Sequence, residues 1–260
     1  MRAGRILFLI GVVVALAGCR GKLDLAAIQL AREKWESAAK LYGEYLEEDP
    51  KSAIALRSLS AIECNRLGDY ERCAEHADRL LAMMPRDSQA VATGAYAYTL
   101  LAERAAEARD TTRAHTYLNR IADIYYVAAY WNYMNENYRI AEEQFRNVIR
   151  LRPGDPLAYL RLGILYWNRH MEDSSIAWFE RAVQANPLDS LSEDALINLI
   201  VLCRETGQHE RALEEYHRLT HLRAVLYPDS VFQAEIDTTR QPLLDYRHEA
   251  SGEHGPHASF

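Results

Sequence analysis

Five prolines set the strongest constraint on how this chain can fold. Pro50, Pro85, Pro153, Pro187 and Pro228 follow one another at 35, 68, 34 and 41 residues, and 68 is two steps of 34. Proline lacks the amide hydrogen that continues a helical ladder, so it belongs just past a helix end. A period near 34 residues, marked this way, points to stacked antiparallel helix pairs. Turn signals fall between the prolines. Gly68 can close one helix in the left-handed conformation and Asp69 can cap the next, and Thr206-Gly207-Gln208 supplies a similar break.

The clearest unit runs from Tyr159 to Pro187: Tyr159-x₂-Leu162-Gly163-x₂-Tyr166, then Phe179, Ala182 and Pro187. It resembles the tetratricopeptide repeat pattern W-x₂-L-G-x₂-Y…A-x₃-F…P, with Tyr159 for the tryptophan and Ser175 for the first alanine. Partial units match at Ala38-x₃-Tyr42, Ala141-x₃-Phe145 and Ala212-x₃-Tyr216. The resemblance implies an all-α solenoid of about six antiparallel helix pairs over residues 19–228. Residues 86–119 depart from the pattern. Leu100 to Asp110 has no Gly or Pro, so the segment is either a degenerate repeat or two long helices meeting near Asp110-Thr111. Residues 229–250, with Val231, Phe232, Ile236, Leu243 and Leu244, are expected to cap the last repeat, and residues 251–260 to be a disordered tail.

Residues 1–18 read as an export signal: basic Arg2 and Arg5, the apolar run Ile6 to Ala17, then small residues. That run is too short for a hydrocarbon core that needs about 20 residues. Leu16-Ala17-Gly18-Cys19 resembles a bacterial lipobox, which implies cleavage before Cys19 and lipidation (palmitate among the chains) of that cysteine. An ordinary signal peptide releasing a soluble product is the alternative. In such lipoproteins the residue after the cysteine sorts between membranes; Arg20 rather than aspartate implies the outer membrane, facing the periplasm.

Composition excludes several function classes. Without residues 1–18 the chain holds 28 basic and 37 acidic residues, net −9, which opposes nucleic-acid binding. No Gly-rich phosphate loop and no G-x-S-x-G elbow appears. His217 and His221 share a helix face, but two nitrogens make a weak metal site and read as solvated surface groups. Glu142-Glu143 and Glu214-Glu215 are expected on outer helix faces. We therefore expect no catalytic residues, no metal and no cofactor.

Cys64 and Cys73 flank the Gly68 turn, one on each helix of a hairpin, and should face each other. An oxidising periplasm permits a disulfide there; two small buried thiols are the other reading. Cys203 faces Ala212 at the equivalent place in its own unit.

In the tetratricopeptide family the first helix of each pair lines a concave groove. With Tyr159 as the packing residue, the groove set is Leu160, Ile164 and Trp167. Shifted back by 34 it becomes Tyr126, Tyr130 and Tyr133, and shifted again it includes Tyr96. Aromatics of this kind anchor protein partners, unless a tight superhelix or the C-terminal segment covers them. The expected function is a lipid-anchored envelope adaptor that binds a protein or peptide in this groove. A structural subunit using its convex face is the alternative. The build resembles pilotins of type IV pilus secretins, the tetratricopeptide lipoprotein of the β-barrel assembly complex, and lipoprotein adaptors for peptidoglycan hydrolases.

Overall fold

A computed structural model describes residues 21–227, which form an all-α fold of the tetratricopeptide solenoid class. Residues 1–20, with Cys19, and residues 228–260, with the expected cap and tail, lie outside the described residues. Eleven helices are present among the described residues: α1 (residues 21–31), α2 (Trp35–Glu48), α3 (Ala53–Ile62), α4 (Tyr70–Met83), α5 (Ser88–Glu107), α6 (Thr111–Met134), α7 (Tyr138–Leu151), α8 (Pro156–Asn168), α9 (Glu172–Ala185), α10 (Ser190–Glu205) and α11 (His209–Leu226). Pro50, Pro85, Pro153 and Pro187 occupy the breaks before α3, α5, α8 and α10. Asp69, Asp87, Asp110, Asp155 and Asp189 cap the helices that follow them, each carboxylate accepting a backbone N–H.

Left-handed residues at Glu33, Gly68, Glu136, His170 and Gly207 close the helices before α2, α4, α7, α9 and α11. The step from Glu33 to Gly68 is 35 residues, and the extra residue is taken up in a π-helical turn, Glu63–Leu67, after α3. From Gly68 to Glu136 is 68 residues, yet the intervening turn lies at Arg109 instead of near 102. That is a delay of about two helical turns. No proline stands near 119 to end the next helix, so α6 runs on for 24 residues against the 20 of α5. The irregular segment is thus one long hairpin, α5–α6. Two repeats' length of chain becomes three helices, which is why eleven appear where six pairs require twelve.

The chain divides into two compact units, residues through Glu136 and from Asn137 onward. In the first, α3 packs on α2 and α4, and α5 on α4 and α6. In the second, α8 packs on α7 and α9, and α10 on α8, α9 and α11, around a core of Leu160, Phe179, Leu196, Leu199, Ile200 and Tyr216.

Asp87 ties the first unit together. It accepts the Ala90 N–H at 2.8 Å and an ion pair from Arg57 on α3. Burial pushes its carboxyl pKa up, but the Arg57 and Ala90 hydrogen bonds outweigh burial, and the net shift is below the usual value of 3.8. A depressed carboxylate contributes stability above its unfolded pKa and loses it as pH falls through the folded one. Asp87→Ala should therefore cost about 1 kcal/mol near neutrality, and the gap from wild type should close below pH 3.8. Urea titrations on both sides of that pH measure it; a gap independent of pH would show that the charge contributes nothing.

Candidate partner-binding surfaces

The groove tyrosines expected in the first unit, Tyr96, Tyr126, Tyr130 and Tyr133, lie on α5 and α6. Along α6 the core face is Ile121, Ile124, Ala128 and Asn132. Tyr126, Tyr130 and Tyr133, at steps of four and three, fall on the opposite side because a helix repeats every 3.6 residues. Tyr130 is 36% exposed, and Tyr126 and Tyr133 are half-buried. Sequence reasoning missed three neighbours on that side: Val127, Trp131 (46% exposed) and Met134. Val127, Tyr130, Trp131 and Met134 are spaced i, i+3, i+4, i+7, a helical stripe that was legible in principle. On α5, Tyr96 is 48% exposed and stands edge-on to Tyr70, ring centroids 6.2 Å apart. The Arg104 guanidinium covers the Tyr70 ring at 4.6 Å. A cation over one ring and a second ring edge-on to it are thereby brought together, an arrangement suited to a partner's aromatic or apolar side chain.

Elsewhere on α5, Tyr98 donates to Asp78 Oδ2 at 2.8 Å, and Arg120 Nη2 lies 3.1 Å from Asp78 Oδ1. Burial first, then the Asp78 carboxylate, pushes the Tyr98 phenol up to about 12. The trio joins α4, α5 and α6, with Arg120 near the middle of the long helix.

The second unit corrects the groove assignment. Leu160 is only 4% exposed and belongs to the core, because α10 packs against α8 and covers that side. Ile164 and Trp167 are half-buried and pack on the same core; Trp167 stands edge-on to Phe179 at 6.2 Å. Trp167 also lines a cavity, about 490 Å³, with Tyr138, His170, Glu172, Glu205 and Thr206.

Two carboxylates expected at the surface are engaged. Glu142 accepts from Tyr166 Oη at 2.7 Å and pairs with Arg146 and Arg169 at 3.0 and 3.3 Å. Burial raises its pKa, the Tyr166 and arginine bonds lower it more, and the net is a depressed carboxyl. Arg146 and Arg181 also lie over the Trp178 ring, at 5.0 and 4.5 Å. Glu215 is buried, which raises its pKa even though Arg218 pairs with it at 2.7 Å. Held by these pairs within and between helices, both read as struts of the fold.

Cys64 and Cys73 are joined by a disulfide, with Cα atoms 5.4 Å apart; Cys203 is a buried free thiol.

Residues 133–190 match the tetratricopeptide repeat family model. The matched stretch contains the turn at Glu136, all of α7 to α9, and the Gly163–Phe179 contact. No curated protein matches the sequence. Solved structures that are similar include a crystal structure of MamA protein, at 14% identity over 82% of this chain and 97% of that one, with a TM-score of 0.40. PilW, described as a widely conserved type IV pilus biogenesis factor, shows 14% identity over 86% and 98%, with a TM-score of 0.38. A thermophilic tetratricopeptide protein of Thermus thermophilus shows 18% identity over 87% and 98%, with a TM-score of 0.35.

Proposed function

We propose that this chain is a lipid-anchored tetratricopeptide scaffold of a bacterial envelope, not an enzyme. Cys19 holds it at the outer membrane facing the periplasm, and the aromatic surface of α5 and α6 binds a polypeptide. The observation that carries the binding reading is the exposure of Tyr96, Tyr130 and Trp131 on helices whose core faces are already filled. Large rings left in water are a cost unless something covers them, and tyrosine and tryptophan are the usual anchors of interfaces. The Cys64–Cys73 bond supports an oxidising compartment, and the Leu16-to-Cys19 sequence supports the anchor.

The test combines Tyr96→Ala, Tyr130→Ala and Trp131→Ala in the full chain. Crosslinking in native envelopes should recover a partner with the wild type and at least about tenfold less with the triple variant. Melting should stay unchanged. A large drop in melting would instead assign the rings to the core. Mass spectrometry of the N-terminal peptide tests the anchor: an unmodified Cys19 or an intact Met1 start would refute it.

A further inference from the structure

Glycine inside a helix costs about 1 kcal/mol relative to alanine, so each one asks for a reason. Among the described residues, three lie within helix interiors: Gly43, Gly94 and Gly163. For two the reason is internal packing. A Cβ on Gly163 would lie 2.4 Å from the Phe179 ring, and one on Gly94 would lie 3.3 Å from Ile124 Cδ1 and 3.4 Å from Ala77 Cβ. At Gly43, on α2, a Cβ would meet nothing within 4 Å. The fold itself gives no reason for that glycine.

Gly43 opens onto a groove of about 680 Å³ between α2 and α4, floored by Leu59, Glu63 and Leu67. Its two walls carry opposite charge. From α2 come Glu36, Glu44 and Glu47, with Lys40 among them; from α4 come Arg72, His76 and Arg79, with Asp69 at the capped end. Glu36, Glu47 and Arg72 take part in no ion pair among the described residues. Lys40 reaches Glu44 only within α2, at 3.9 Å, and Arg79 donates to the Pro50 carbonyl. On the floor, Glu63 is 2% exposed and its Oε2 lies 2.7 Å from His76 Nδ1.

We propose that this groove seats an amphipathic helix of a partner protein. Its large apolar side chain lies over Gly43, as Phe179 lies over Gly163, with one flank basic toward α2 and the other acidic toward α4. The α2 wall from Glu36 to Glu47 is about 16 Å long, which matches about three turns of helix. Close approach at a glycine supplies packing, and the opposed walls supply selection, since like charges on either flank meet repulsion. This surface is separate from Tyr96 and α6, so its failure would leave the aromatic surface untouched.

The experiment measures fluorescence anisotropy of labelled synthetic helical peptides against the full chain. Three peptides of about 15 residues share one Leu/Phe stripe and differ in their flanks: one Lys and one Glu, both Glu, or both Lys. Reversing a helix end for end exchanges its flanks, so the mixed peptide fits in one direction and the uniform ones fit in neither. The mixed peptide should bind about tenfold or more tighter than either uniform one. Gly43→Leu should abolish that preference while leaving melting unchanged or higher, because it fills open space with a better helix former. Arg72→Glu should shift preference to the all-lysine peptide. Equal binding of all three peptides, or unaltered binding by Gly43→Leu, overturns the proposal. So does a fall in melting for Gly43→Leu, or a self-association in sedimentation that Gly43→Leu removes, which would make a second copy the occupant.

Discussion

Phe179→Ala is expected to destabilise the second unit by about 3–5 kcal/mol. Phe179 is fully buried, and its ring fills the space left by the missing side chain of Gly163. At the same level Ser175 Oγ donates to the Gly163 carbonyl at 2.8 Å, so α9 is fixed to α8 by a hydrogen bond as well as by packing. Removing the ring leaves a cavity that these contacts prevent from collapsing. The converse change, Gly163→Ala, forces a methyl to within 2.4 Å of two ring carbons, so the helices must part. Overpacking of that kind costs about 1–3 kcal/mol. If the two residues are one packing unit, Gly163→Ala with Phe179→Leu should cost less than the sum of the single changes, since leucine yields room to the methyl. Urea unfolding followed by circular dichroism gives the four values of the cycle. Simple additivity would mean that ring and glycine do not depend on each other.

That contact was legible in the sequence, because the Leu162-Gly163-x₂-Tyr166 spacing marks the glycine as a packing residue. The hairpin of α5 and α6 was legible in part. Leu100 to Asp110 lacks a breaker, so α5 runs on, and Asp110 can cap the next helix, where it accepts the Arg113 N–H at 2.9 Å. The absent proline near 119 also showed in the sequence, but the consequence, a helix running through a repeat junction, depends on what α5 offers along its length. The groove residues were the harder part. A 34-residue offset puts Leu160 and Tyr126 at equivalent places along the chain, yet it cannot give depth. Leu160 is covered because α10 packs on α8, whereas Tyr126 and Tyr130 lie on the side of α6 turned away from α5. Glu142 and Glu215 failed for a related reason. Adjacent carboxylates look like a solvated face until the structure brings Tyr166 against one and buries the other. Gly43 lies in a second helix of a pair and Gly163 in a first, and the neighbouring helices distinguish an open groove from a filled one.

Breaking the Cys64–Cys73 bond should lower the stability of the first unit by about 2.5 kcal/mol, the chain-entropy value for closing a loop of about ten residues. The bond joins the π-helical turn Glu63–Leu67 to α4, across the left-handed Gly68. That turn holds one residue more than the repeat period provides, and a wider turn is a weaker helix, so a covalent tie at Cys64 fixes the place where the chain would loosen first. Glu63 precedes Cys64 and faces His76 three residues beyond Cys73, so the same tie keeps that buried pair in register. Both cysteines are buried, at 3% and 0% exposure. A thiol reductant must therefore wait for the hairpin to open, and reduction should be slow in buffer and fast in moderate urea. Cys64→Ala with Cys73→Ala should match the reduced wild type in urea midpoint and show no response to dithiothreitol. The amide protons of residues 63–67 should lose more exchange protection than those of α5 in both cases. A midpoint that does not move on reduction would show that packing alone holds the hairpin. A shift spread evenly over the unit would show that the bond acts through the unfolded chain alone and gives the turn no local protection.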